Sequence, residues 1–444
     1  MQKYINPLFN YALAIIFTQV IFYSQNTYSI RNITIKEGHI DPMPIAINSF
    51  KTDSFANSRI AKSITEVIKK DLNNCAYFKT LPRAAFIENK TGTDHTPLFA
   101  SWRQVGAQIL LNGEIKDLEN KIELSFIIWD TTIEKPLRKQ VIELPKKIWR
   151  RAGHKIADII YERITGDKGY FDTKIAYISE TGTKLNKVKR VAVMDFDGHN
   201  LQYLTLGSNL VLTPRFSPSA DKILYLTYVN KIPRVYLYDL RSGTEKMVGD
   251  FPGMSFAPRF SPDGRKAIMS VANKGSTNIL EIDLVTRKLK KLTNNSFINT
   301  SPSYSPDGKQ IVFNSNRSGT RQIYIMDSDG SNVRRISSAY GSYATPVWSP
   351  TGEYIAFTKI RGGFSIGVMT PDGTEERIIS RGYLVESPTW SPSGRMIMFT
   401  REDRSRNKNI NNTNIYYIDI TGNNEHKVQA KTYASDPEWS NLLE

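Results

Sequence analysis

A short phrase recurs through the second half of this chain and fixes what that half can fold into. It reads Pro214-Arg-Phe-Ser-Pro218, Pro258-Arg-Phe-Ser-Pro262, Pro302-Ser-Tyr-Ser-Pro306, Pro346-Val-Trp-Ser-Pro350 and Pro388-Thr-Trp-Ser-Pro392, with a shortened sixth copy, Pro437-Glu-Trp-Ser440. Successive copies lie 44, 44, 44, 42 and 49 residues apart, the length of a four-stranded propeller blade rather than of a helical repeat. Within a copy, Asp307-Gly308 forms a turn, residues 310–315 alternate as a half-buried strand, 323–327 form a second strand, and Asp329-Gly330 turns into a third. The middle-strand signature appears six times, at 191–195, 235–239, 279–283, 323–327, 366–370 and 415–419. The first blade, opening at 174, has no aromatic-Ser-Pro strand ahead of it, and Pro437-Glu-Trp-Ser440 stands alone at the end. The terminal strand is therefore expected to complete the first blade and close a six-bladed ring, which removes open sheet edges.

The 444 residues exceed six such blades, leaving room for an α+β arrangement in which a small α/β domain precedes the propeller. The stretch 44–50 reads as a buried strand, and Ile60, Ile64, Val67, Ile68 and Leu72 share one helical face. Residues 107–114 and 121–130 follow as strands, 135–144 as a weaker one, and a second helix runs from about Lys147 to a stop at Gly166. The N-terminus has a lysine, an apolar run over 8–22 and Thr27-Tyr28-Ser29 with small residues at both cleavage-site positions. This divides the chain into a signal peptide (1–29), an arm (30–42), an α/β domain (43–165), a linker (166–173) and a propeller (174–444), with the mature chain exported.

The formal charge of +16 is spread rather than gathered into a basic helix or stripe, so a nucleic-acid partner is not expected. A single cysteine, Cys75, excludes an internal disulfide and reads as a packed small apolar residue. Gly363-Phe-Ser365-Ile-Gly367 matches a hydrolase elbow only in letters, because strand rather than helix follows it. The five histidines, His39, His95, His154, His199 and His426, lack zinc-ligand spacing. Asp195-Phe-Asp-Gly198 and Asp327-Ser-Asp-Gly330 open like calcium loops but lack the closing glutamate, and read as hairpin turns. No catalytic, cofactor-binding or metal residues are assigned, and the chain reads as a non-enzyme.

Blade geometry puts the Ser-Pro and Asp-x-Asp-Gly turns on one face. The residues before each blade proline, among them Ala257, Thr300, Ser301, Thr345 and Glu386, fall at the channel mouth on the other. With its signal segment, α/β domain and six blades, the chain resembles the TolB family, periplasmic propeller proteins of the Tol-Pal system of Gram-negative envelopes. That resemblance covers almost the whole mature chain. It implies a monomeric hub that binds Pal, the peptidoglycan-associated lipoprotein, at the channel mouth and TolA through the N-terminal arm. Through Pal it would associate peripherally with the outer membrane, support membrane integrity and constriction during cell division, and in some species serve bacteriocin import. Carried over by position, the Pal-facing residues are Met254, Ala257, Thr300 and Ser301, to which blade geometry adds Thr345 and Glu386, and the TolA-binding arm contains Ile30, Arg31, Ile33, Ile35, Gly38 and Asp41. The chain departs from the family in having Met254 in place of a histidine, Ser301 in place of a glutamate, and Lys36-Glu37 in place of an Asp-Ser pair. Two other readings suit a propeller: a peptidoglycan or carbohydrate binder, and a propeller-containing hydrolase.

Overall fold

The computed structural model describes residues 35–36, 39–52, 54–183, 186–249, 251, 253–338, 340–404 and 412–444. The signal segment and, in the arm, Ile30, Arg31, Ile33 and Gly38 lie outside the described residues. Ile35–Lys36 pairs antiparallel with His39–Ile40, and exposed Asp41 leads into the first domain.

That domain is built on a mixed sheet. Met43–Ile47 lies between two parallel neighbours, Phe78–Thr80 and Ile109–Leu118, and the latter continues antiparallel into Lys121–Asp130 and Lys135–Pro145. The weakest strand in the sequence is a full one here, because Lys135–Pro145 has a partner along nearly all its length. The helices Phe55–Asn74 and Trp149–Thr165 pack together with Ile64, Ile68, Leu72, Ile156, Ile160 and Ile164 buried. The second helix starts at Trp149, after a 3-10 turn over Lys146–Ile148, and ends at Gly166, whose φ of 79° is the left-handed cap that glycine adopts without cost. Cys75 is buried, which pushes its thiol up to about 12 and leaves it unreactive.

The propeller consists of six four-stranded antiparallel sheets. In the first blade Lys174–Gly182 pairs on its inner side with Tyr433–Trp439, so the last strand of the chain closes the ring. The other innermost strands are Val211–Phe216, Met254–Phe260, Asn299–Tyr304, Ser342–Trp348 and Leu384–Trp390. Each carries a β-bulge at its proline. Proline has no N–H for the ladder and bars the preceding residue from the right-handed helical region. The preceding residue instead turns left-handed in all six blades: Thr213, Ala257, Ser301, Thr345, Ser387 and Asp436 have φ between 46° and 56°.

Strain repeated six times is held in place by its surroundings. The second strand of each blade carries a buried small polar residue near the bulge: Ser179, Thr227, Ser270, Asn314, Thr358 and Thr400. Ser270 accepts the amide of Ser301 from the next blade at 3.2 Å, and Thr400 accepts that of Asp436 at 2.9 Å. These bonds staple one blade to the next. After the proline, the Ser-Pro turns place Gly264, Gly308, Gly352 and Gly394 at φ near 70–80°, which accounts for the glycine in those copies.

The two domains share one core. Side chains of the α/β helices, such as Ile156 and Tyr161, continue through Tyr170 and Phe171 into Phe196, Tyr417 and Trp439 of the sixth and first blades.

Candidate functional site: the open face of the propeller

In this topology the loops between second and third strands share a face with the connections from one blade to the next. Those connections carry exposed apolar and aromatic side chains around the ring: Leu206, Met254, Phe297, Tyr340, Tyr383 and Tyr433. Leu206 is 91% and Tyr340 70% exposed, so neither contributes to the core. Arginines from the neighbouring loops lie over three of the rings, Arg317 on Phe297 at 5.9 Å, Arg361 on Tyr340 at 5.7 Å and Arg404 on Tyr383 at 5.0 Å. Aromatic and arginine side chains together, exposed in a ring, are the composition of a protein-contact hot spot.

Inside this rim sits the ring of bulges. Ala257, Thr300, Ser301, Thr345 and Glu386 are half-buried on adjacent innermost strands, and Met254 is 49% exposed at the edge. The structure therefore brings these six sequence-selected positions to one mouth. Burial, and then the nearby Asp436, raise the Glu386 carboxyl above its ordinary value, while Ser387 donates to Asp436 at 3.0 Å. The mouth thus has an acidic sector beside its arginine-bearing rim. Most aromatics of the chain occupy alternating strand positions and face the core, whereas Tyr340 and Tyr383 fall outside the strands and break the alternation.

Other candidate chemistry is placed as follows. Ser365 lies within the strand Phe364–Met369 and is 7% exposed, so no nucleophile elbow forms. Gly198 donates to the Asp195 carbonyl, closing the hairpin turn expected at that site. His154, Asp195 and Asp197 do converge, with ligand atoms within 4.8 Å of one another. Arg150 already pairs with Asp197, and His154 Nδ1 lies 2.6 Å from Asp71, so the cluster contains its own cations. It clamps the two helices of the α/β domain to the first blade. Sequence could not show this, because Asp71 and His154 are 83 residues apart.

Although burial opposes its charge, Asp71 holds His154 above the ordinary histidine value. A raised folded value means a stabilisation that is complete below the unfolded value of about 6.5 and lost as pH rises through the folded one. His154→Ala should therefore cost about 3 kcal/mol at pH 6, leaving Asp71 buried without its donor, and less at pH 9. Urea unfolding at the two pH values measures this, and an equal cost at both would refute a charged clamp.

A closed six-bladed propeller fused through a common core to a small α/β domain, with exposed aromatic side chains around one rim, defines a class of two-domain propeller proteins. A family model described as the TolB amino-terminal domain matches residues 31–137, and one described as the TolB beta propeller domain matches residues 161–443. The Tol-Pal system protein TolB of Rickettsia bellii (strain OSU 85-389) is 56% identical over 440 residues, covering 97% of this chain and 99% of its own. That of Rickettsia felis is 54% identical with the same coverage. The crystal structure of TolB from Acinetobacter baumannii superimposes with a TM-score of 0.77 at 26% identity, over 90% of this chain and 97% of that one. The chain belongs to the TolB family.

Proposed function

We propose that this protein is a monomeric, non-enzymatic periplasmic hub of the Tol-Pal system, with Pal docked on the open propeller face and TolA held by the arm 30–42. The observation that carries the reading is the aromatic and arginine rim around the mouth, on a chain whose relatives bear the Tol-Pal system name. A wet, half-buried inner ring enclosed by aromatic anchors suits a partner that inserts a small polar segment and rests its body on the rim. In the proposed complex Met254, Ala257, Thr300, Ser301, Thr345 and Glu386 line the inserted segment, and exposed Asp41 with Ile35 belongs to the TolA-binding arm. Tethering to Pal would bring the protein to the outer membrane and to its constriction during division.

The test is calorimetric titration of the chain from Ile30 with the periplasmic domain of its cognate Pal, for wild type, Ala257→Trp and Thr300→Trp. The indoles should block the mouth and abolish binding while leaving thermal unfolding unchanged. Wild-type protein that ignores Pal but binds purified peptidoglycan would replace the hub with a glycan binder. For the arm, removal of 30–42 should eliminate TolA binding while the shortened chain still binds Pal.

A further inference from the structure

We propose that the propeller channel is an anion site, in which Arg215 and Arg259 hold a small carboxylate or inorganic oxyanion. Behind the ring of bulges a cavity of about 860 Å³ opens on the Ser-Pro face, opposite the candidate partner mouth. Its inner wall is set by the residue after each blade proline: Arg215, Arg259, Ser303, Val347, Thr389 and Glu438. Two guanidinium groups from neighbouring blades therefore meet one carboxylate.

That carboxylate is already committed. Glu438 Oε1 accepts from Arg259 Nη1 at 3.1 Å, Oε2 lies 3.5 Å from Arg215 Nε, and Thr389 donates to Oε2 at 3.2 Å. Arg215 turns one further N–H onto its own neighbour, the Pro214 carbonyl, at 2.7 Å. The remaining donors of the two forks have no protein acceptor among the described contacts. Side-chain exposure is 10% for Arg215, 15% for Arg259 and 12% for Glu438, so bulk water screens the excess charge poorly. At the cavity rim Asp167 is taken by Arg395 at 2.8 Å and supplies no compensation inside. Burial and the neighbouring Arg215 depress the Arg259 guanidinium, with Glu438 opposing them, to about 10, so Arg259 stays charged at neutral pH.

At the inner wall two guanidinium groups face one carboxylate, with Lys168, Asp167 and Glu444 at the open rim, and this local excess of positive charge is met most simply by an anion entering from the Ser-Pro face. Two guanidinium forks match the oxygens of a carboxylate or of phosphate, and they repel any metal cation. Ser303, on the blade next to that of Arg259, adds a hydroxyl donor, while the Thr389 hydroxyl stays on Glu438. The site is independent of the partner reading, because it opens on the other face.

The experiment titrates the whole mature chain with inorganic phosphate and, separately, with acetate at constant ionic strength, by calorimetry and by thermal midpoint. One anion should bind per chain and raise the midpoint saturably. The tighter of the two identifies whether oxyanion or carboxylate is preferred. Arg259→Gln leaves Glu438 paired with Arg215, so it should fold, and without anion it should be at least as stable as wild type. Its anion affinity should fall about tenfold or more. Arg215→Gln, in which Arg259 keeps Glu438, is the second variant and should show the same loss. Exposed Arg335→Gln should change nothing. Non-saturable stabilisation, or equal binding in all four proteins, would overturn the assignment.

Discussion

Replacing Trp439 with alanine should remove about 4 kcal/mol of stability, the largest single loss expected outside the backbone itself. Three structures meet on this indole. It sits on the strand that closes the ring, stacks on Phe196 of the first blade at 5.2 Å and 12°, and meets Tyr170 of the interdomain segment edge-on at 5.7 Å. Its Nε1–H donates to Thr173 at 2.8 Å in a buried setting, so truncation leaves a cavity and strips the Thr173 hydroxyl of its donor, leaving it only its own bond to the Tyr170 carbonyl. The cavity cannot collapse easily, because its walls belong to two domains and two blades. The equivalent indole of the sixth blade, Trp390, donates across to the Val347 carbonyl at 3.0 Å but packs within the blades alone. Trp390→Ala should therefore cost less, about 3 kcal/mol, and should not couple to changes in the α/β domain. Urea unfolding followed by circular dichroism distinguishes them: Trp439→Ala combined with His154→Ala should be non-additive, Trp390→Ala with His154→Ala additive. A loss below about 1 kcal/mol for Trp439→Ala would mean that the ring closes by main-chain pairing alone.

The repeat made the propeller legible because proline, glycine and alternation are local signals, and the structure uses each locally. Six related phrases even predict the ring closure, since a lone terminal strand needs a blade that lacks one. The bulge was hidden. The residues that turn left-handed before the prolines are Thr, Ala, Ser, Thr, Ser and Asp, none of which announces that conformation. What permits it is the hydroxyl or amide on a second strand, which only the folded ring brings near. The same limit hid the His154 clamp, whose partners come from three separate stretches. The channel arginines are a different case. Arg215 and Arg259 were visible in the phrase, but their neighbour Glu438 belongs to the last copy, and only closure sets the three side by side. The aromatic rim was readable in principle, because Tyr340 and Tyr383 lie in connections where no core face exists to receive them.

Truncating the rim should separate binding from folding more sharply than any change inside the mouth. Phe297→Ala, Tyr340→Ala and Tyr383→Ala together should weaken Pal binding by about 100-fold or more, as expected when aromatic anchors are removed from a contact centre. Stability should change by less than about 1 kcal/mol, because these side chains are 39%, 70% and 53% exposed and leave no cavity behind. The arginines stacked on them give the second half of the test. Arg361 and Arg404 place their guanidinium groups over the rings, so Arg361→Ala with Arg404→Ala should act partly through the aromatic geometry and partly through charge. The charge part slows association and fades at high salt, whereas the aromatic part appears in the dissociation rate and does not. Surface plasmon resonance at two salt concentrations resolves the two. If the triple variant bound Pal with wild-type kinetics, the contact would have to lie wholly within the bulge ring, where Glu386 would carry it and binding would strengthen as pH rose and its raised carboxyl ionised.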